Sequence, residues 1–214
     1  MLKNKFNWRL LGVTTTAISL MLIMGKNALA HHPMGGETPS NFFEGFMSGL
    51  GHPIIGLDHF AFVASTGLIA AGEFLGLIIP IAFVLSTMLG TLIHVQELNL
   101  PFPEVVIALS VIIFGVLLVI KKASNNSSFV YTFILGLMAA LAGIFHGYAY
   151  GEAIIGAEMT PLLAYLAGFI IIQLTIALGS LAIGNICLTK FADTMRFAGF
   201  AIGAIGLVFL AGAV

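Results

Sequence analysis

Apolar runs long enough to cross a bilayer as a helix recur along the whole of this 214-residue chain, and that recurrence decides what it can fold into. After a first run at 10–24 they lie near 54–72, 74–95, 102–120, 129–149, 162–183 and 197–214. The runs are apolar on every face, which argues against the short segments of alternating polarity that build a membrane barrel. Composition agrees, with 59% hydrophobic residues and only 8% charged. The expected fold is an all-α integral membrane protein: one domain over 31–214, a bundle of about six transmembrane helices in contact with the lipid bilayer. No polar stretch is long enough for an ATP-binding or catalytic domain, and neither Gly-x-Ser-x-Gly nor His-Glu-x-x-His occurs. Neither an enzyme nor a nucleic-acid-binding protein is expected.

The first run reads differently from the others. Lys3, Lys5 and Arg9 precede it, and Ala28-Leu29-Ala30 offers small residues at both recognition positions of a signal peptidase, so residues 1–30 are read as a cleaved signal peptide. The alternative is an uncleaved first helix, since Lys26 and Asn27 separate the apolar run from the cleavage site. Cleavage leaves a mature chain that begins His31-His32-Pro33 on the outer side of the membrane.

Six spans from an outer start place three loops inside: a short turn near Glu73, the loop 121–128 with its polar stretch 124–128, and the loop 185–196. The basic residues that remain after cleavage are Lys121, Lys122, Lys190 and Arg196, and all four fall in those loops, as the positive-inside rule requires. The expected location is the bacterial inner membrane with the mature N-terminus in the periplasm. Four basic against nine acidic side chains then remain, a formal charge of about −5, with most of the acids outside.

This topology gathers His31, His32, His52, Asp58, His59, His94, Glu97, His146 and Glu152 on one side, at the ends of the apolar runs. Neutral imidazole and carboxylate together suit divalent first-row metals. The single Cys187 lies at the other end of its span, which excludes both a disulfide framework and a Cys-based zinc site. In the first span, Pro53 is expected to end one helical segment and Gly56 to let the chain bend, with Asp58 and His59 in the first turn of the next helix. Asp58 and His59 diverge by about 100° on that helix, so a bend that returns His52 is needed to complete a site. A plain helix cap at Asp58 and an interfacial His52 are the bland alternative.

His94 and Glu97 are three apart and would share a helical face, unless Glu97 already lies in the next loop. In His146-Gly147-Tyr148-Ala149-Tyr150-Gly151-Glu152, the glycines would let the helix unwind so that His146 and Glu152 face one centre. Gly143, Gly147 and Gly151, four apart, are otherwise read as packing positions. Thr87, Thr91, Ser65, Thr66, Gln173 and Ser180 offer polar steps along an inward path, although each hydroxyl is better read as bonding back to its own helix. Pro80 is placed near mid-membrane as a kink.

The segment His52-Pro53-x-x-Gly56-x-Asp58-His59 resembles the signature of the HupE/UreJ membrane proteins. The likeness extends through His31-His32-Pro33, Pro103-Glu104 with Ala108-Leu109-Ser110, and Phe145-His146-Gly147-Tyr148-Ala149. The stretch 151–158 resembles cyanobacterial members in particular, while many other members carry histidine where this chain has Tyr150. The resemblance implies a secondary or facilitative permease for nickel or cobalt, tilted toward cobalt, with His52, Asp58 and His59 at the metal site and His146 and Glu152 as partners. The metal ion is then cargo, with no catalytic cofactor. A non-transporting metal sensor or metalloenzyme-assembly accessory protein remains the alternative.

Overall fold

The computed structural model describes residues 37–121 and 128–214. The expected signal peptide, His31, His32 and positions 124–127 of the polar loop lie outside the described residues. All regular structure among the described residues is helical. Helix α1 spans Phe42–Ile55, α2 Leu57–Ala70, α3 Ile78–Val95, α4 Pro103–Ile120 and α5 Phe129–Gly151. A single 3₁₀ turn at Glu152–Ile154 leads to α6, Met159–Lys190, and the chain closes with α7, Ala192–Ala213.

Local chemistry sets the helix starts. The Asn41 side chain accepts the Glu44 N–H at 3.0 Å while the Glu44 carboxylate accepts the Ser40 N–H at 2.8 Å, a reciprocal cap for α1. Proline opens α4 at its first position, where an N–H is dispensable. Ser128 caps α5 by accepting the Tyr131 N–H at 3.2 Å.

Helices α3 to α7 are each long and apolar enough to cross a membrane, and α1 with α2 makes a sixth, broken crossing whose halves meet at 80°. This chain is therefore a multi-pass membrane protein of five or six spans. The first span thus departs from a single helix over 54–72: it begins at Phe42 and breaks at Gly56. Pro53 does not end α1, which runs two residues further, because a proline in the last turn removes only one internal hydrogen bond. Pro80 does not kink mid-membrane either. Helix α3 starts at Ile78, so Pro80 sits in the first turn, where no internal hydrogen bond is lost. The loop expected over 185–196 is almost wholly helix, with Phe191 alone between α6 and α7. Asn185 is anchored there by accepting the Gly72 N–H at 3.0 Å, so α6 extends well past its apolar run.

The glycine row of α5 acts in packing. A Cβ at Gly147 would stand 2.0 Å from the Thr87 carbonyl oxygen, so α3 and α5 lie backbone against backbone. The same device joins α1 to α6, where a Cβ at Gly49 would stand 2.2 Å from the Tyr165 carbonyl oxygen. Between these pairs sits an aromatic core in which the Phe62 ring lies 5.1 Å from Phe83 and 4.6 Å from Phe114. Large apolar side chains such as Leu85, Leu89, Phe133 and Leu141 are left exposed on the outside, as lipid-facing positions require.

Candidate metal site at a helix break

The break at Gly56 supplies the geometry. Gly56 takes φ −73° and ψ 102°, ending α1 and opening α2 with no side-chain cap. Any residue tolerates that φ, so glycine is required here for space: a Cβ would stand 2.6 Å from the Cδ2 of His59, whose ring folds over the corner. The 80° turn brings the last turn of α1 against the first turn of α2 and places the His52 ring 6.0 Å from that of His59. Asp58 lies in the first turn of α2, where the helix dipole favours a carboxylate.

Three further helices complete the enclosure. His146 of α5 packs its ring 5.0 Å from His59 and 4.5 Å from Phe62. Tyr150, one turn further along α5, contacts both His52 at 5.0 Å and His59 at 4.6 Å. Tyr165 of α6 lies behind His52, and Ser110 of α4 behind His146. Counted along α4 and α5, Ser110 and His146 sit about 8 to 10 Å below the helix ends.

The histidines are consequently interior residues and not rim residues: His52, His59 and His146 are 2%, 2% and 0% exposed. Their position at the ends of the apolar runs suggests a mouth, but the rings of Tyr150, Phe62 and Phe83 pack against them. Asp58 is also buried, and its Oδ1 has no hydrogen-bond partner; nor does the Tyr150 hydroxyl. A buried carboxylate oxygen left without a donor is costly in an apolar interior unless a ligand or proton completes it.

Hydrogen bonding assigns the ring tautomers. The Ser110 hydroxyl donates its one proton to the Ile107 carbonyl at 2.6 Å, so at 3.0 Å from His146 Nε2 it accepts. A neutral His146 then carries its proton on Nε2 and presents a bare Nδ1 to His59 Nδ1 at 2.8 Å. His59 then donates from Nδ1 in that pair. The same rule governs the hydrogen bonds around His52. Tyr165 donates to the Tyr150 carbonyl at 2.8 Å, so it accepts from His52 Nδ1 at 3.0 Å. A protonated nitrogen held by an oxygen or nitrogen, with the other nitrogen basic, is how a metal-binding imidazole is oriented.

The remaining expected ligands are placed elsewhere. Helix α3 ends at Val95 and Glu97 adopts a left-handed φ of 59° in the turn, so the shared face with His94 does not form. His94 instead stacks on the Tyr148 ring at 4.0 Å, with Nδ1 2.5 Å from the Tyr148 carbonyl oxygen. Helix α5 stays wound through Gly147 to Gly151, because both glycines are pressed against α3, and Glu152 emerges exposed while His146 points inward. Among the described residues no three His, Cys, Asp or Glu side chains stand together as a ready metal cage. The polar steps resolve largely as back-bonding: Ser65 to Phe62, Thr66 to Val63 and Thr87 to Val84, all to carbonyl oxygens at 2.6 to 2.7 Å. Thr91 crosses to the Gly147 carbonyl at 2.8 Å, and Gln173 lies 3.4 Å from Thr87. Tyr165 is the residue that reading the sequence misses, and Tyr150 enters that reading only as a lost histidine. A phenol within an apolar run is the available signal, since a buried hydroxyl needs a partner.

Comparison with known proteins agrees with the residues. The family model described as HupE / UreJ protein matches residues 18–209. Protein HupE of Rhizobium leguminosarum bv. viciae is 26% identical over 203 residues, covering 94% of this chain and 97% of that protein. No solved structure matches the chain. A family match over nearly the whole length, with the His52, Asp58 and His59 signature folded into one buried corner, establishes that this chain belongs to the HupE/UreJ family.

Proposed function

We propose that this protein is a secondary or facilitative permease that moves a divalent first-row metal ion, cobalt or nickel, across the bacterial inner membrane. The observation that carries the reading is the broken first span, which sets the unpartnered Asp58 carboxylate oxygen at the same Gly56 corner as His59, whose ring packs against those of His52 and Tyr150. Ionisable groups buried within a membrane protein are expensive and mark ion pathways, and interrupted helices are the usual means of presenting them. Asp58 supplies the charge that a dehydrating cation needs, and the imidazoles of His52 and His59 supply borderline-soft nitrogen. Tyr150 supplies a neutral oxygen where a third ring would otherwise stand. The positive-inside rule supports a site in the periplasmic half, since Lys121, Lys190 and Arg196 belong to the opposite helix ends. His94, Glu97 and Glu152 then form a rim that raises the local cation concentration.

Sealed vesicles holding only the purified protein test this. Labelled cobalt or nickel is expected to accumulate inside wild-type vesicles and not in those carrying Asp58→Asn or His59→Ala. Metal that binds saturably yet never enters the lumen would overturn transport and assign the chain to metal sensing or metalloenzyme assembly instead.

A further inference from the structure

The opposite end of α2 carries a second buried carboxylate that the permease reading does not use. Glu73 lies just beyond the last turn of α2 and is paired with Lys121 at the end of α4, each side chain only 5% exposed. The Lys121 ammonium also donates to the Ile69 carbonyl at 2.9 Å. That carbonyl is one of the last-turn acceptors that a helix leaves unsatisfied, at the negative end of its dipole. The second oxygen of Glu73, Oε2, is buried and has no hydrogen-bond partner. A cation therefore sits among a carboxylate oxygen and a helix-end carbonyl, with another carboxylate oxygen unsatisfied beside it. That cation is the protein's own ammonium group.

We infer that Glu73 and the Ile69 carbonyl form a second, all-oxygen divalent-cation site, occupied by the Lys121 ammonium until a metal ion displaces it. Burial separates this pair from an ordinary surface ion pair, because two desolvated charges with an oxygen left over cost more than an apolar contact of the same size. Position supports the same conclusion. Ile69 lies eleven residues beyond Asp58 on one continuous helix, about 16 Å along its axis. The hydroxyls between them, Ser65 and Thr66, are committed to their own backbone. A dehydrated ion leaving Asp58 meets its next unsatisfied carboxylate at Glu73. Lys121 then serves as a tethered counter-ion that keeps this carboxylate neutralised between ions and is displaced when one arrives. As the second step of a pathway the site rests on the permease reading, but its affinity for metal does not.

Manganese(II) is the probe, since it favours oxygen over imidazole and its paramagnetic signal reports binding directly. Lys121→Met keeps the alkyl stem and removes the ammonium. The purified full-length variant is expected to bind Mn²⁺ at that site at least about tenfold more tightly than Lys121→Met/Glu73→Gln, the scale of one charge-assisted contact. The Asp58 region is the same in both variants and cancels. Should Lys121→Met fold poorly, Mn²⁺ is expected to raise its Tm and to leave the double variant unchanged. Equal manganese binding by the two variants, or no manganese-dependent recovery of a destabilised Lys121→Met, overturns the site. Vesicle uptake by the wild type is scored separately, so a failure of transport and a failure of this site are distinguishable.

Discussion

His59 and His94 make the most instructive pair of regions in this protein, because both lie at the same end of the helices and obey the same sequence rule of an imidazole with an acid nearby. His59 is 2% exposed, bonded through Nδ1 to His146, and adjacent to a carboxylate with an unsatisfied oxygen. His94 is half-buried, stacked on Tyr148 and bonded to a backbone carbonyl, and its acid, Glu97, turns away into an exposed left-handed turn. The difference lies in the backbone around each histidine. At His59 the helix has just restarted after a break and the acid precedes the ring, so Asp58 is buried in the first turn; after His94 the helix simply ends. An acid beside a histidine becomes a site only where backbone geometry holds both in the interior.

That contrast orders the expected effects of mutation. Asp58→Asn should be the most severe, since it removes a buried carboxylate beside His59 while keeping shape. Loss of a buried charge contact of about 2 kcal/mol or more corresponds to roughly a 30-fold fall in initial uptake of cobalt or nickel, with surface delivery of the protein unchanged. Uptake within about threefold of wild type would collapse the distinction between the interior and the rim. His146→Ala comes next. It leaves His59 Nδ1 without its acceptor and frees the tautomer, and orienting partners of this kind are worth about 10- to 100-fold in metal affinity. The measurement is cobalt binding to purified protein, read from its visible absorption, and an unchanged affinity would show that His59 is oriented by something else.

Ser110→Ala sharpens the comparison one bond further out. The hydroxyl touches no candidate ligand directly; it fixes His146 by accepting from Nε2. One neutral hydrogen bond is worth about 1 kcal/mol, so metal affinity should fall by roughly fivefold. Ser110→Thr, which keeps the oxygen, should restore it. A loss that Thr does not restore would indicate packing between α4 and α5 as the cause.

The sequence made the class, the number of crossings and the bend at Gly56 legible, because apolar length acts locally and Gly56 is the position without a side chain between His52 and Asp58. The expected return of His52 is seen in its ring, 6.0 Å from that of His59. Depth was not legible. His52, His59 and His146 stand near the ends of apolar runs, and only tertiary packing against Tyr150, Phe62 and Phe83 puts them under cover. The unwinding expected at Gly147 failed for a related reason. Glycine permits both an unwound helix and a close helix contact, and the nearness of Thr87 in α3, which selects the second, is invisible in one chain's order of residues. Charge and span parity place Lys121 and Glu73 at the same end of the bundle, yet nothing in their spacing of 48 residues announces a pair.

The rim should respond least. His94→Phe preserves the stack on Tyr148 and gives up only the contact with its carbonyl, and Glu97→Gln changes one solvated charge. If the rim only concentrates cations, removing a single exposed charge alters the local potential by an amount that salt screens over about 8 Å at physiological strength. The expected result is a rise of about twofold or less in the half-saturating metal concentration, with the maximal rate unchanged and the difference vanishing as salt is raised. A fall in maximal rate that persists in high salt would mean that His94 or Glu97 contacts the ion during passage. The region of α3 that ends at Val95 would then have to rewind to bring both side chains onto one face, and the boundary between the two kinds of histidine would lie elsewhere.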